Sequence, residues 1–391
     1  MPSIHTVLIG NPFFLSTLIV SLLIYLRADR PRMHRGITLA AGLVLAVVFD
    51  GPASACLQVM LVLGYWALSA FLLELILPFF QKQHVRDLSL IPRMAFPPAA
   101  SFVTVLFLCR MIPFTPITLD MYYYRFDGSL GWQPSFWTAQ LLLRNDWLRI
   151  PSEAVYMNLP VGLALVYFWQ QSRSRELAGR TLTLFLTVAT AGYLCYFLTP
   201  AVGPGSIFAK VFPFHPPALA SLRIEPVAVS AVTPRNCMPS LHTAWALSLL
   251  WSTRGMSWWR RYAAGAFFTL TLLYAGAAGG HYIVDLIVAV PFTLAVYAAT
   301  RGTAAWRVRT CQVAFAGGVL LFAAWLIVLR WGGGLFLVSR TIPWLAILFS
   351  CAVSLTMRNA VDGAVEQLSL MPDGAADPAP GLVLARDYLA G

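Results

Sequence analysis

The chain has 391 residues, 59% of them hydrophobic and only 11% charged. A soluble globular domain carries about 25% charged residues, so this balance excludes an ordinary soluble enzyme and points to a membrane protein. The net charge is +11, but the basic residues fall in small groups between apolar runs. No basic face or recognition motif accompanies them, which argues against nucleic acid and fits the positive-inside pattern. The six cysteines, Cys56, Cys109, Cys195, Cys237, Cys311 and Cys351, form no CxxC pair and lie mostly inside apolar runs. A disulfide framework or a cysteine-based zinc site is therefore not expected. The first apolar run begins after His5 and lacks a basic n-region, so no cleavable signal peptide is read.

A membrane-crossing helix needs about 20 apolar residues. Eleven candidate spans follow in chain order, near 7–26, 37–49, 55–80, 94–114, 154–170, 181–200, 238–253, 262–280, 281–300, 310–329 and 341–357. The fold class expected is all-α, a polytopic membrane helix bundle. The loops 27–36, 81–93, 171–180, 252–261, 301–309 and the tail from Arg358 hold four, three, three, three, three and two of the 27 basic residues. This set is expected on the cytoplasmic side of the plasma (inner) membrane, which leaves the N-terminus outside and the C-terminus inside. Two long segments, 115–153 and 201–237, then face outward. Within the first, Phe136 to Leu148 reads either as a helix lying on the bilayer surface or as a structured loop packed on the spans. The tail after Met357, rich in Ala, Gly, Pro and Asp, is expected to be a disordered cytoplasmic segment over 358–391.

Among six histidines, His5, His34, His84 and His215 sit in loops or at the terminus. His242 and His281 each sit at the outer end of a predicted span. His281 opens HYIVDLIVAV, and Asp285 follows four residues later, a spacing that puts both side chains on one helical face. The carboxylate can then fix the imidazole tautomer and leave the other ring nitrogen as a nucleophile. An acid in an apolar run needs a partner, which marks Asp285 as a functional candidate; a structural His–Asp pair closing a helix end is the plainer alternative. His242 lies in PRNCMPSLHTAW. Pro239 suits a first helical turn, with Ser240 and His242 in the same turn. The N–H groups there make an anion site, to which Arg235 could add a bidentate phosphate contact, with Asn236 beside it.

Together these residues fit phosphoryl transfer through a phosphohistidine. His281 would attack phosphorus, His242 would protonate the leaving alkoxide and later deprotonate the incoming hydroxyl, and Asp285 would orient the His281 ring. Arg235, Asn236, Ser240 and the helix N-terminus would hold the phosphoryl oxygens. Two His and one Asp could also ligate zinc, but PSLH and HxxxD are not a zinc signature. No metal and no cofactor is expected.

MPSLH at 238–242 and HYIVD at 281–285 resemble the second and third signature motifs of the type-2 phosphatidic acid phosphatase superfamily. Within it they are most similar to the inositol phosphotransferase branch, which includes inositol phosphorylceramide synthases. YFLTPAVGP at 196–204 and DGSLGWQPSF at 127–136 resemble further features of bacterial members. The resemblance covers roughly 94–300 and implies a six-helix catalytic membrane core there, with accessory transmembrane helices over 1–93 and 301–357. It implies His281 as nucleophile, Asp285 as its partner, His242 as acid/base, and a metal-independent site at the outer membrane face. Tyr274 and Ala275 stand where the phosphatase branch has Ser-Arg, and its first motif has no match, which shifts weight toward Arg235 and toward transfer.

The function expected is thus lipid phosphotransfer, from a lipid phosphoester to a lipid hydroxyl. A lipid phosphate phosphatase with water as acceptor uses the same residues. A transporter with a histidine proton relay is the reading from another class, but such sites lie near the bilayer midplane within inverted repeats, and no internal repeat is found.

Overall fold

The computed structural model of the chain describes residues 12–57, 59–80, 90–91, 94–95, 98–99, 116–230 and 233–370. The span expected at 94–114 falls, but for four residues, outside them, and so does the tail from 371 on.

Thirteen principal helices form among the described residues. The first three are α1 (Pro12–Arg27), α2 (Arg32–Leu57) and α3 (Val59–Phe80). Next come α4 (Asp120–Ser129), α5 (Pro134–Arg144), α6 (Asp146–Met157), α7 (Leu159–Arg173) and α8 (Arg175–Leu198). The chain continues through α9 (Leu241–Ser252), α10 (Trp258–Ala277), α11 (Ile283–Ala299), α12 (Arg309–Ile327) and α13 (Thr341–Leu370). A two-stranded antiparallel ribbon pairs β1 (Ile117–Thr118) with β2 (Val227–Ala228), Ile117 opposite Ala228 and Thr118 opposite Val227. It ties the start of the first long loop to the end of the second.

Three helical stretches among the described residues are long and apolar enough to cross a membrane: Arg175–Leu198, Arg309–Gly332 and Thr341–Leu368. Several of the other expected spans among the described residues form shorter or broken helices. The run at 238–253 becomes α9, whose 12 residues rise only about 18 Å, because its leading residues form a turn at the site. The run at 281–300 becomes the 17-residue α11 for the same reason. The run at 154–170 breaks at Asn158, the cap shared by α6 and α7; Pro160 has no N–H to continue the earlier helix, but suits the first turn of a new one. The tail also differs from expectation. Residues 358–370 continue α13, held there by the Arg254–Asp362 and Arg358–Asp362 ion pairs.

The surface supports a membrane setting. Val44, Val47 and Val48 on α2, Leu320 on α12 and Leu345 and Leu348 on α13 are all exposed, an apolar surface that water would not tolerate. Exposed Trp258, Trp259 and Tyr262 mark one end of the bundle and Trp132, Trp137 and Trp147 the other, as aromatic residues do at the two bilayer interfaces. The segment 136–148 is helical, broken at Asn145, and packs on α10. α5 and α6 are consecutive helices whose outward side carries Trp137, Leu143, Trp147 and Ile150.

α11 is the axis of the core. Nearly every side chain from Val284 to Ala298 is buried, as a helix apolar on all sides requires. α9, α8, α12 and α13 pack around it. The close approach of α12 depends on Gly318, where a Cβ would sit 2.7 Å from the Ala295 nitrogen and 2.8 Å from the Pro291 carbonyl. α1 packs on α3 and on α7, within a separate cluster that includes Tyr25, Ala67 and Ala164. The ion pair between Arg30 and Glu74, at 2.8 and 2.6 Å, is bidentate and buried, the form in which an apolar interior accepts charge.

Candidate active site

The site forms where three turns meet: 199–205 after α8, 235–240 before α9 and 278–282 before α11. Each is held by a residue from elsewhere in the sequence. Thr199 donates to the Met238 carbonyl at 2.6 Å. The Gly205 N–H donates to the Gly279 carbonyl at 2.8 Å. Gly203, at φ 88°, leaves no room for a side chain, since a Cβ would lie 2.5 Å from the Gly280 carbonyl carbon. Through these contacts YFLTPAVGP braces both histidine-bearing turns.

The two histidines come together. The His242 and His281 rings stand edge to face with centroids 6.3 Å apart, close enough for both to touch one phosphoryl group. His281 is buried. Its Nδ1 lies 3.0 Å from the Cys237 carbonyl, and its Nε2 lies 3.4 Å from Ser240 Oγ. A carbonyl only accepts, so Nδ1 carries the proton and Nε2 keeps its lone pair. The His281 carbonyl is itself held by Ser135 Oγ at 3.0 Å. His242 is half-buried and stacks on Tyr156 of α6, ring centroids 3.8 Å apart and nearly parallel.

Asp285 is placed differently from the expected pair on one helical face. His281 precedes α11, and Asp285 is the third residue inside it. Its Oδ2 accepts from the Tyr282 N–H at 2.8 Å and from Cys237 Sγ at 2.6 Å, and lies 3.6 Å from His281 Nδ1. The carboxylate therefore caps the helix and anchors Cys237 while standing beside the imidazole. Cys237 joins them, offering its carbonyl to His281 and its thiol to Asp285.

Ser240 is the N-cap of α9; its Oγ accepts from the Thr243 N–H, and its own N–H donates to the Asp285 carbonyl at 3.2 Å. Pro239 therefore precedes the helix rather than standing in its first turn. Arg235 is buried, and its guanidinium donates to the carbonyls of Ser230, Thr233 and Val229. Burial draws its pKa down, with Asp120 opposing. These bonds make it an organiser of the approach to Cys237, tying Val229, Ser230 and Thr233 to the residues that follow them. Asn236, next to it, is exposed.

Two aspartates that composition and spacing did not single out complete the frame, both from α4. Asp120 accepts from the Val202 and Gly203 N–H groups and from the Tyr282 hydroxyl. Asp127 accepts from the N–H groups of Ile283 at 2.9 Å and Val284 at 3.2 Å. With Asp285 on the Tyr282 N–H, the N–H groups of Tyr282, Ile283 and Val284 at the start of α11 each have a carboxyl oxygen as partner. The signal for Asp127 and Ser135 lay in DGSLGWQPSF. Asp120 and Tyr156 carried none.

Burial pushes the Asp127 carboxyl up to about 8; the N–H of Ile283 opposes this and the neighbouring Asp285 adds to it. An unfolded aspartate titrates at about 3.9. Between about pH 4 and 8 the folded protein thus binds a proton that the unfolded chain releases. The stability this group contributes is complete below about pH 4 and is lost as pH rises through 8, at about 1.4 kcal/mol per pH unit in between. Asp127→Asn, which imitates the neutral acid, is expected to flatten that dependence. Thermal unfolding of both proteins from pH 5 to 8 checks this; parallel curves would remove Asp127 as its source.

Cys237, His281 and Asp285 are the group among the described residues whose donor atoms, all within 4.8 Å, are near enough to share a cation. A tetrahedral ion at about 2.0–2.3 Å from its ligands holds them roughly 3.5 Å apart. Binding one would open the 2.6 Å contact between Cys237 and Asp285.

Paired imidazoles on facing turns, one with a fixed tautomer, are equipment for nucleophilic attack and proton transfer. Residues 122–299 match the PAP2 superfamily. The match runs from α4 to the last turn of α11, so the matched segment contains both histidines, Asp285, Cys237 and the bracing turns. Members of the PAP2 superfamily are phosphatases or phosphotransferases. No curated protein and no solved structure matches the chain.

Proposed function

We propose that this protein is a lipid phosphotransferase of the inositol phosphotransferase type, working through a phosphohistidine on His281 at the outer membrane face. The observation that carries the reading is the Cys237 carbonyl on His281 Nδ1 at 3.0 Å, which leaves Nε2 as the nucleophile. In the first step Nε2 forms a bond to phosphorus as the ester P–O bond breaks. His242 gives its proton to the leaving alkoxide. In the second step the acceptor hydroxyl gives its proton to His242, its oxygen bonds to phosphorus and the P–N bond breaks. Asp285 stabilises the positive ring that exists between the steps. Ser240 and Asn236 flank the phosphoryl oxygens, and Arg235 fixes the turn that carries them.

Burial of His281, Ser240 and Asp285 favours transfer over hydrolysis, because a site that excludes water lets a lipid hydroxyl compete for the phosphoenzyme. The exposed aromatic side of α5 and α6 suits the entry of a lipid from the bilayer. The outer location rests on the basic loops, which lie at the end away from the histidines. A cysteine at exposed Glu225 is expected to react with an impermeant thiol reagent in intact cells; protection would reverse the orientation.

Purified protein, given phosphatidic acid, phosphatidylinositol and ceramide, is expected to form a new phospholipid. Free phosphate as the sole product would instead make the protein a phosphatase. Neither product from folded protein would remove these lipids as substrates.

A further inference from the structure

The opposite end of the core from the histidines holds a second concentration of charge. α9 and α11 carry the site at their first turns, and both end beside Asp362 of α13. Arg254, just past α9, reaches Asp362 at 2.7 Å. Arg358 reaches it at 3.1 Å and Arg301, just past α11, at 3.8 Å. The Tyr297 hydroxyl donates to the same carboxylate at 2.5 Å. Glu366, exposed, stands 4.0 Å from Arg254. Three guanidinium groups thus face one buried carboxylate and one solvated one, a surplus of positive charge.

The donors are not used up. Nε of Arg301 and Nε of Arg358 are buried and have no hydrogen-bond partner. Such a group seeks an acceptor, since leaving a buried donor unmade is costly. Tyr297 and Trp251 hold the two arginines in place, with Arg301 4.6 Å and Arg358 5.9 Å from the Tyr297 ring centre. Arg358 is 17 residues into α13, about 26 Å along the helix from Thr341, close to the thickness of a bilayer core. Exposed Trp258, Trp259 and Tyr262 belong to the same end.

We propose that Arg254, Arg301 and Arg358 bind the phosphate of an anionic membrane lipid, at a site separate from the histidines by the length of α11, about 25 Å. Arginine forks suit phosphate oxygens, and basic pockets between spanning helices suit anionic headgroups. Asp362 keeps the arginines converged and limits the affinity. The bound lipid would fasten α13 to the core at the junction of α9 and α11.

The test uses the full chain in nanodiscs of phosphatidylcholine with increasing phosphatidylglycerol, read as the thermal midpoint. Wild type is expected to gain stability as phosphatidylglycerol rises. Arg301→Gln removes the longest of the three contacts to Asp362 and is expected to shift the half-maximal lipid fraction upward by about tenfold, the loss of one charged hydrogen bond. Asp362→Asn is expected to shift it downward. Should Arg301→Gln not fold, Arg254→Gln, at the more exposed guanidinium, serves the same comparison. Because the catalytic site also meets phospholipid, the dependence on these residues is the deciding readout. Variants that lower the midpoint equally at every lipid composition would make the cluster a helix clamp only and overturn the proposal. Stabilisation by inorganic phosphate in detergent, without any phosphatidylglycerol effect in nanodiscs, would overturn the lipid as occupant.

Discussion

His281→Ala is expected to abolish turnover, lowering kcat by a factor on the order of 10^4–10^6, the scale at which an activated nucleophile is lost. The reason is covalent. With Nδ1 committed to the Cys237 carbonyl, Nε2 is the atom that would bond to phosphorus on the proposed route, and the variant has no imidazole at that position. His242→Ala is expected to differ in kind. Loss of a proton donor costs about 10^2–10^4 on a lipid ester whose alkoxide must be protonated. It costs far less on an aryl phosphodiester whose leaving group departs as an anion. Single-turnover reactions with labelled substrate, quenched in alkaline detergent so that a P–N bond survives, read both effects. Acid-labile phosphoprotein should be absent in His281→Ala and present in His242→Ala with the aryl ester. Label retained by His281→Ala would sink the assignment.

Gly203→Ala is expected to damage stability and activity together although it touches no substrate. At φ 88° an L side chain is strained, and the added carbon would press on the Gly280 carbonyl at 2.5 Å and the Gly279 oxygen at 2.6 Å. Both obstacles are backbone, so nothing can rotate away. A cost of about 2–4 kcal/mol follows from strain and forced movement. Whatever relief occurs must push the 279–281 turn, and a displacement of about 1 Å at a reacting group costs about 10^2 in rate. Gly363→Ala, with open space around it on α13, is the control and is expected to leave kcat unchanged and to raise stability by about 0.4–1 kcal/mol. Comparison of thermal midpoints and kcat for the two variants decides it; a Gly203→Ala protein of normal stability and rate would show that the turns are not in rigid contact.

Much of the site was legible because its chemistry is concentrated in short strings. MPSLH and HYIVD each carry a histidine next to a helix start, and the structure brings the two starts together. What the strings conceal is the division of labour. The spacing of four between His281 and Asp285 suggested a helical face, but α11 begins only at Ile283, so the carboxylate serves the helix cap first. Arg235 looked like a phosphate ligand because it is a cation near the turn; the carbonyls of Val229, Ser230 and Thr233 that occupy it are backbone atoms, which composition does not reveal. Cys237 was passed over as one more cysteine near an apolar run. Asp120 lies 162 positions before Tyr282, whose hydroxyl it accepts, and only folding creates that pair. The helical class was plain from hydropathy, whereas the bounds of single helices were not, because apolar runs such as 238–253 spend their first residues on the turn that shapes the site before α9 begins.

The way His281 is held also bears on stereochemistry. Ser135 fixes its carbonyl and Cys237 its Nδ1, so the ring offers phosphorus a single nitrogen from a single direction. His242 stands across from it and on the proposed route would attend to both the departing and the arriving oxygen. On the proposed route each displacement would invert the configuration at phosphorus, and the oxygen that enters would take the place the first one left. Two inversions restore the original hand, so a phosphoester made chiral with oxygen isotopes would emerge from this protein with its configuration retained.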